Sequence, residues 1–500
     1  MQANKTSFEQ RLEAIAQVLL WVIIVIGIGL RISVYLQNRD LIIDEVNIAR
    51  NLYERSYLGL LQPLDYEQYA PPVFLWIEEL STRIFGFGEM GMKLYPLITG
   101  IVALFVMRKV LLKLMPARAA WLPLLMMSVT YWYINYSTCI KQYMPDTMIA
   151  LILVWLALSY DMDKTPRKKF IAIWGGVGTL VIWSSMPSVF VLAGVGCYYG
   201  LHSIRNKWKG FGALALIALI WLANFGLFYE LMLKAQVGLP YLQNYHKNYF
   251  LIANPQKFQD WQHNWSRLKE ILMNMGGFHY YAWLVSVLFV AVGGFALLFR
   301  RPQWFILILF PVMFTFMAAA MKQFSLIERV ILFMMPLLLI TLGYGVWQFM
   351  QLRFKAVQLL AIIGGIYIIS HYNEFQFFYK PLITPEFTKG MEYLDKKGVQ
   401  GNQVYVHDAT RPTYLYYTQI HPNKKKWAHL QGANLLNWDD HYAFVMRGQP
   451  SDTGYFFFTG GMGEVETARR DNELSHGTTA IDSFMANICK VKVCVRKPDE

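Results

Sequence analysis

Long apolar runs separated by short basic turns fill the first 373 residues, and a shorter, mixed pattern follows them. Runs at 14–36, 92–114, 118–135, 147–161, 169–185, 187–203, 211–230, 279–299, 303–320, 328–348 and 355–373 each approach the ~20 residues that a helix needs to cross a bilayer. The pattern therefore predicts about eleven membrane spans. The first run is long enough to remain as a span rather than act as a cleaved leader. Residues 73–85 are too short and carry Glu78, Glu79 and Arg83, so they read as an amphipathic helix lying in the interface.

After residue 373 the periods shorten to those of a small α/β domain. Helices are expected at Glu386–Lys397, Arg411–Gln419 and Glu464–Glu473, and strands at Gln403–His407, Gly454–Phe458 and Ile488–Val495. The predicted organisation is a transmembrane catalytic part over 1–373 and an extracytoplasmic α/β domain over 374–500. The fold class is a polytopic α-helical membrane protein with a small C-terminal α/β domain.

Charge fixes the expected orientation. With the N-terminus inside and one crossing per span, the inner turns receive 17 Lys and Arg against four acidic residues. That surplus equals the whole formal charge of +13, as the positive-inside tendency requires. Counting 73–85 as a span would move Arg108, Lys109, Lys113 and Arg118 outside and break the pattern. The outer side then holds loop 37–91, loop 231–278 and the C-terminal domain, which carries 15 basic and 15 acidic residues. This topology predicts an integral, multi-pass protein of the plasma (inner) membrane, with a cytoplasmic N-terminus and an extracytoplasmic C-terminal domain.

Composition sharpens this picture. A chain of 500 residues with 55% hydrophobic and 16% charged residues belongs with membrane proteins. Its basic residues sit in turns between spans, so no nucleic-acid partner is expected. Cys139, Cys197, Cys489 and Cys494 show no metal-like spacing. Cys489 and Cys494 are an odd number of positions apart on an expected strand, so they face opposite ways and should not pair.

Candidate chemistry gathers at the outer ends of spans. Asp44-Glu45 follows the first span, Lys141-Gln142-Tyr143 with Asp146 lies between the third and fourth spans, and Lys322 and Glu328-Arg329 lead into the tenth span. Carboxylates and cations at a membrane boundary can serve as interfacial anchors. Three mixed sites on one face instead suggest a pocket in which carboxylates face an anion held by Lys and Arg. His407, Asp408 and His441 in the outer domain, and the Trp261–Trp265 region, read as structural or interfacial.

The ordered set Asp44-Glu45, Tyr69-Ala70-Pro71-Pro72, Gly86 to Pro96, Lys141-Gln142-Tyr143 with Asp146, Trp183 to Phe190 and Glu328-Arg329 to Pro336 resembles the GT-C glycosyltransferases. More narrowly it resembles the branch of protein O-mannosyltransferases and the lipid A aminoarabinose transferase, over essentially the whole chain. The resemblance implies transfer of a sugar from a polyprenyl-phosphate carrier to a lipid, glycan or protein acceptor at the outer face. It implies Asp44 as general base with inversion at the sugar carbon, assisted by Glu45. Lys141, Arg329 and Lys322 would hold the donor phosphate, and Asp146, Tyr143, Tyr69 and His246 would support the site or touch substrate. Aminoarabinose-type members carry Glu-Lys before the Pro-Pro pair, where this chain has Tyr69-Ala70, so that specificity does not carry over. No cofactor is required by spacing, although Asp44, Glu45, Asp146 and His246 could supply ligands to a divalent metal. A transporter or flippase for lipid-linked saccharides is the alternative, and an inactive scaffold a third reading. A carrier would be expected to show internal repeats and midplane charges, and the sequence shows neither.

Overall fold

The computed structural model describes residues 7–237, 239–277, 282–352, 358–359, 363–367, 374–459 and 464–498. Its first part is a helical bundle. The helices are α1 (Ser7–Leu36), α2 (Ile43–Glu54), α3 (Pro72–Phe85), α4 (Glu89–Leu114), α5 (Ala117–Val129), α6 (Tyr131–Tyr136), α7 (Tyr143–Ser159), α8 (Arg167–Ser184), α9 (Ser188–Arg205) and α10 (Phe211–Phe228). There follow α11 (Lys234–Val237), α12 (Pro240–His246), α13 (Phe258–Asn274), α14 (Ala282–Arg300), α15 (Pro302–Ala320) and α16 (Met335–Met350).

Most expected spans are helical within a few residues of their predicted ends. Five described helices are long and apolar enough to cross a membrane, and α5 and α7 are shorter apolar helices. The segment Leu332–Met350 is 89% buried and lies inside the bundle, whereas Phe211–Leu233 is 17% buried and lies at its edge. The expected span 355–373 falls largely outside the described residues.

Two expected spans are corrected. The run 118–135 breaks at Thr130, whose backbone is extended (φ −70°, ψ 135°). The break leaves the last carbonyls of α5 without helical partners, and the fully buried Arg31 of α1 takes them. Its guanidinium donates to Met127 O at 3.1 Å and Ser128 O at 2.9 Å, and also to Ser137 Oγ at 3.1 Å. The run 328–348 becomes helical only from residue 332, because residues 328–331 are turn.

The bundle closes through small residues. A Cβ on Gly293 of α14 would lie 2.0 Å from Thr341 O, and one on Gly345 of α16 would lie 1.9 Å from Phe289 O. The two backbones therefore touch, which is how helices pack when lipid gives no hydrophobic drive between them.

The C-terminal domain adds α17 (Phe387–Lys396), α18 (Arg411–Leu415) and α19 (Glu464–Gly477) to a five-stranded sheet. Its strands are β1 (Val404–Val406), β2 (Asn434–Leu435), β3 (Thr453–Thr459), β4 (Thr478–Ala486) and β5 (Cys489–Arg496), in the order β2-β1-β3-β5-β4. β1 pairs in parallel with β2 and β3, while β5 runs antiparallel to β3 and β4. β2 has two residues, and β4 is an edge strand exposed at most positions, so neither leaves an alternating signature. The four cysteines are free. Cys489 and Cys494 sit in different apolar clusters, as their odd spacing on one strand requires.

The C-terminal domain is not a separate globule. Leu41, Val46, Leu52, Phe74, Leu75 and Ile140 of the first part share one core with Phe387, Met391, Val404, Tyr417 and Phe457 of the second. The expected boundary at residue 373 divides the chain but not this core.

Gly345→Ala should destabilise the protein by about 1–3 kcal/mol, because the methyl group has to push two touching backbones apart. Gly176→Ala in α8 meets nothing within 4 Å and should hold or slightly raise stability through helix propensity. Thermal unfolding of the two variants in detergent checks the contrast.

Candidate functional site

A cavity of about 200 Å³ opens at one end of the bundle. At ~30 Å³ per water, it has room for a phosphoryl group together with several waters. Its polar wall holds Asp44, Glu45, Lys141, Tyr143 and Arg329, all expected from the sequence, together with Arg39, Asp40 and Lys93. These residues sit just beyond α1, on the first turns of α2, α4 and α7, and before α16. The basic turns after α4, α7, α9 and α14 lie at the opposite helix ends.

Asp44 occupies the first turn of α2, where the helix end favours a carboxylate. It is half-buried, and no described residue donates a hydrogen bond to its carboxylate. Glu45 differs. It is 2% exposed, and both oxygens are engaged: Oε2 accepts from Ile42 N at 3.1 Å and Oε1 from Ile140 N at 2.8 Å. Glu45 thus holds the turn bearing Lys141 against the helix bearing Asp44.

The cations are built in from several elements. Lys141 is buried and donates from Nζ to Gln68 Oε1 at 2.6 Å. Burial pulls its ammonium below the usual lysine value, and Asp44 opposes that fall. Arg329 donates to the Tyr245 hydroxyl at 2.9 Å. Lys93 donates to Arg39 O at 2.5 Å. The Arg39 guanidinium reaches Thr138 Oγ1 at 2.6 Å and Asn135 Oδ1 at 3.4 Å. Lys93 escapes sequence reading because it sits among apolar neighbours, where a lone cation resembles a snorkelling anchor, and Arg39 because it stands in the polar run Gln37-Asn38-Arg39-Asp40 that ends the first span. Lys322 does not line the cavity. It is exposed in a left-handed turn (φ 58°) after α15. His246 also stands outside the lining, edge-on to Tyr245 at 5.0 Å.

Behind the cavity lies a second group of buried polar atoms. Asp146 Oδ1, Gln142 Oε1, Ser185 Oγ, the Tyr69 hydroxyl and both Glu78 oxygens lack hydrogen-bond partners. Tyr95 is within electrostatic reach of Glu78 and Asp146, and Tyr69 of Asp146. Gln142 Nε2 donates to Tyr69 O at 3.3 Å. Four of the six atoms are carbonyl or carboxyl acceptors, so the group suits a ligand or waters that donate. Glu78 is the most extreme member. It is fully buried, so its carboxyl is pushed well above the usual range by burial and by Glu45. Its charges in the sequence suggested a solvated interfacial face, yet the structure turns Glu78 inward. Among the described residues, no group of three His, Cys, Asp or Glu side chains could hold a metal ion.

Comparison with known proteins gives this geometry a context. Residues 69–227 match the family model described as dolichyl-phosphate-mannose-protein mannosyltransferase. The crystal structure of ArnT from Cupriavidus metallidurans bound to undecaprenyl phosphate superposes with a TM-score of 0.52 at 13% identity, covering 98% of each chain. Its apo form gives a TM-score of 0.50 at 13% identity, with 97% of each chain covered. No curated protein matches the chain. The likeness is one of fold: the chain has the GT-C architecture of ArnT and is an integral membrane protein.

Glu78 has a consequence for stability. The folded protein holds a proton on Glu78 that the unfolded chain releases near the ordinary value of 4.5. Stability should therefore fall as pH rises above that value. Glu78→Gln should raise the thermal midpoint at pH 8, and the gain should vanish as pH approaches 4.5. Unfolding midpoints measured across this range test the prediction.

Proposed function

We propose that the protein is a membrane glycosyltransferase that moves a sugar from a polyprenyl-phosphate carrier to an acceptor hydroxyl on a lipid, glycan or protein. The observation that carries this reading is the free Asp44 carboxylate in a cavity also walled by Arg39, Lys93, Lys141 and Arg329. With the basic turns facing the cytoplasm, this cavity opens on the outer face of the plasma membrane, and the C-terminal domain lies outside.

The chemistry follows from charge. Asp44 takes the proton from the acceptor hydroxyl as the oxygen attacks the anomeric carbon. The bond from that carbon to the phosphate oxygen breaks, and its electron pair leaves with the lipid phosphate. Attack opposite the phosphate inverts the carbon. Preplaced cations stabilise the charge that grows on the leaving oxygen, so no nucleotide-binding fold is needed. Lys141 and Arg329 hold the phosphate. Arg39 and Lys93 supply the further positive charge that this chain lacks at Tyr69-Ala70. Glu45 positions Asp44 against Lys141, and the unpartnered acceptors around Asp146, Tyr69 and Gln142 take hydroxyl groups of the substrates. Tyr143 lines the cavity beside the phosphate-binding cations, and His246 flanks the Arg329–Tyr245 pair. A carrier of lipid-linked saccharide would place its charges near the bilayer midplane, whereas these gather at one end of the helices.

Asp44→Asn should lower kcat by roughly 10²–10⁴-fold, the range for a general base, while binding of the donor persists. Release of polyprenyl phosphate from a panel of synthetic donors measures this, and a wild-type rate in the folded variant sinks the assignment. Lys141→Ala and Arg329→Ala should each weaken polyprenyl-phosphate binding by roughly 10- to 100-fold, since hydrogen bonds to charged groups contribute about 1.5–3 kcal/mol. Unchanged affinity in both variants would remove the phosphate site from this cavity.

A further inference from the structure

One carboxylate of the cavity is held from outside the bundle. Asp40, between α1 and α2, accepts from Thr388 N at 2.7 Å through Oδ2, and the Thr388 hydroxyl lies 3.0 Å from each of its oxygens. Thr388 belongs to the first turn of α17 in the C-terminal domain. Asp40 thus caps that helix from another part of the chain, where the positive helix end favours an anion.

The clamp is rigid on the domain side. Phe387 stacks on Phe457 at 4.8 Å and on Tyr417 at 5.1 Å. Gln37 Oε1 accepts from Leu382 N at 2.9 Å, and the Tyr417 hydroxyl lies 3.2 Å from Leu41 N. Between these anchors, Ile383, Thr384 and Pro385 form part of the cavity wall. The domain that carries Thr388 therefore has a fixed place over the site.

Asp40 stands within electrostatic reach of Lys93, a cation of the same cavity. Lys93 spends one donor on Arg39 O and has two others. A carboxylate free to turn would engage that ammonium and cancel its charge toward an incoming phosphate. Bound to Thr388, the carboxylate is turned toward α17 and spends two of its acceptor sites there.

We infer that Thr388 of the outer domain is a positioning residue for donor binding, keeping Asp40 off Lys93 so that Lys93 can meet the lipid phosphate. The inference rests on the reading of the cavity as a phosphate site. It gives the outer domain a share in donor affinity without contact between Thr388 and the substrate.

The test measures binding of polyprenyl phosphate in detergent to the full-length protein and its variants. Thr388→Ala should weaken binding about tenfold, equivalent to 1.4 kcal/mol, with kcat at saturating donor little changed. Thr388→Ser, which keeps the hydroxyl, should bind like wild type. Asp40→Asn in the Thr388→Ala background should restore affinity, because a neutral amide cannot cancel the Lys93 charge. A purely structural cap would behave otherwise: the double variant would bind no better than Thr388→Ala, and that result overturns the inference. Unchanged binding in Thr388→Ala, alongside weakened binding in Lys141→Ala, would also overturn it while leaving the phosphate site standing. Absence of binding by the wild type would overturn both.

Discussion

One buried carboxylate carries the geometry of the site. Glu45 sits in the protein interior with an oxygen on the backbone N–H of Ile42 and another on that of Ile140. A buried carboxylate without donors would be costly, and one with two backbone donors has a single favourable orientation. The two bonds fix the start of α2 against the turn 137–142. Asp44, the preceding residue, must then face the cavity that Lys141 and Tyr143 enter from the other side. Acid and cation are neighbours because an adjacent carboxylate is occupied elsewhere.

The same economy joins the membrane part to the C-terminal domain. Apolar residues of loop 37–91 would be exposed on a bare bundle, and they are covered by α17, β1 and the tyrosines 414, 416 and 417. Polar ties follow this apolar contact. The Tyr417 hydroxyl donates to Glu89 Oε1 at 2.7 Å, and His421 Nε2 lies 3.1 Å from Glu89 Oε2. The cavity is thus walled by five separate stretches of chain, and the domain after the last expected span helps to form it.

Burial in this protein is not uniformly satisfied. Arg31 is enclosed and has its donors used on the end of α5 and on Ser137. His407 is likewise enclosed and only half satisfied: Nδ1 accepts from Ala409 N at 3.0 Å, Nε2 has no partner, and burial pushes its imidazole down to about 4. Both Glu78 oxygens and Asp146 Oδ1 also lack partners. Buried polar groups without partners are rare in folded proteins, and these two acids lie within electrostatic reach of the same Tyr95.

The sequence by itself determined the membrane helices and the C-terminal α/β domain, because these depend on the length and pattern of local runs. Hydropathy marked α1, α10, α14 and α15 within a few residues, and short apolar runs marked β1, β3 and β5. The adjacent Asp44-Glu45 pair and the Lys141 and Arg329 positions were legible for the same reason: charge at the edge of an apolar run is conspicuous. What only the tertiary structure decided was which charges meet. Lys93 is isolated in sequence from the adjacent pair Arg39-Asp40, and they converge through packing of α1 on α4 and of α17 on loop 37–42. Glu78 looked solvated because its neighbours Glu79 and Arg83 are charged, but those two pair with each other at 2.9 Å, and helix rotation sends Glu78 inward. Thr388 lies more than 300 residues from Asp40, and no local pattern encodes that contact. Asp44 and Glu45 differ in the same way: two adjacent acids look alike in the sequence, and the backbone amide of Ile140 separates the one left free from the one held in place.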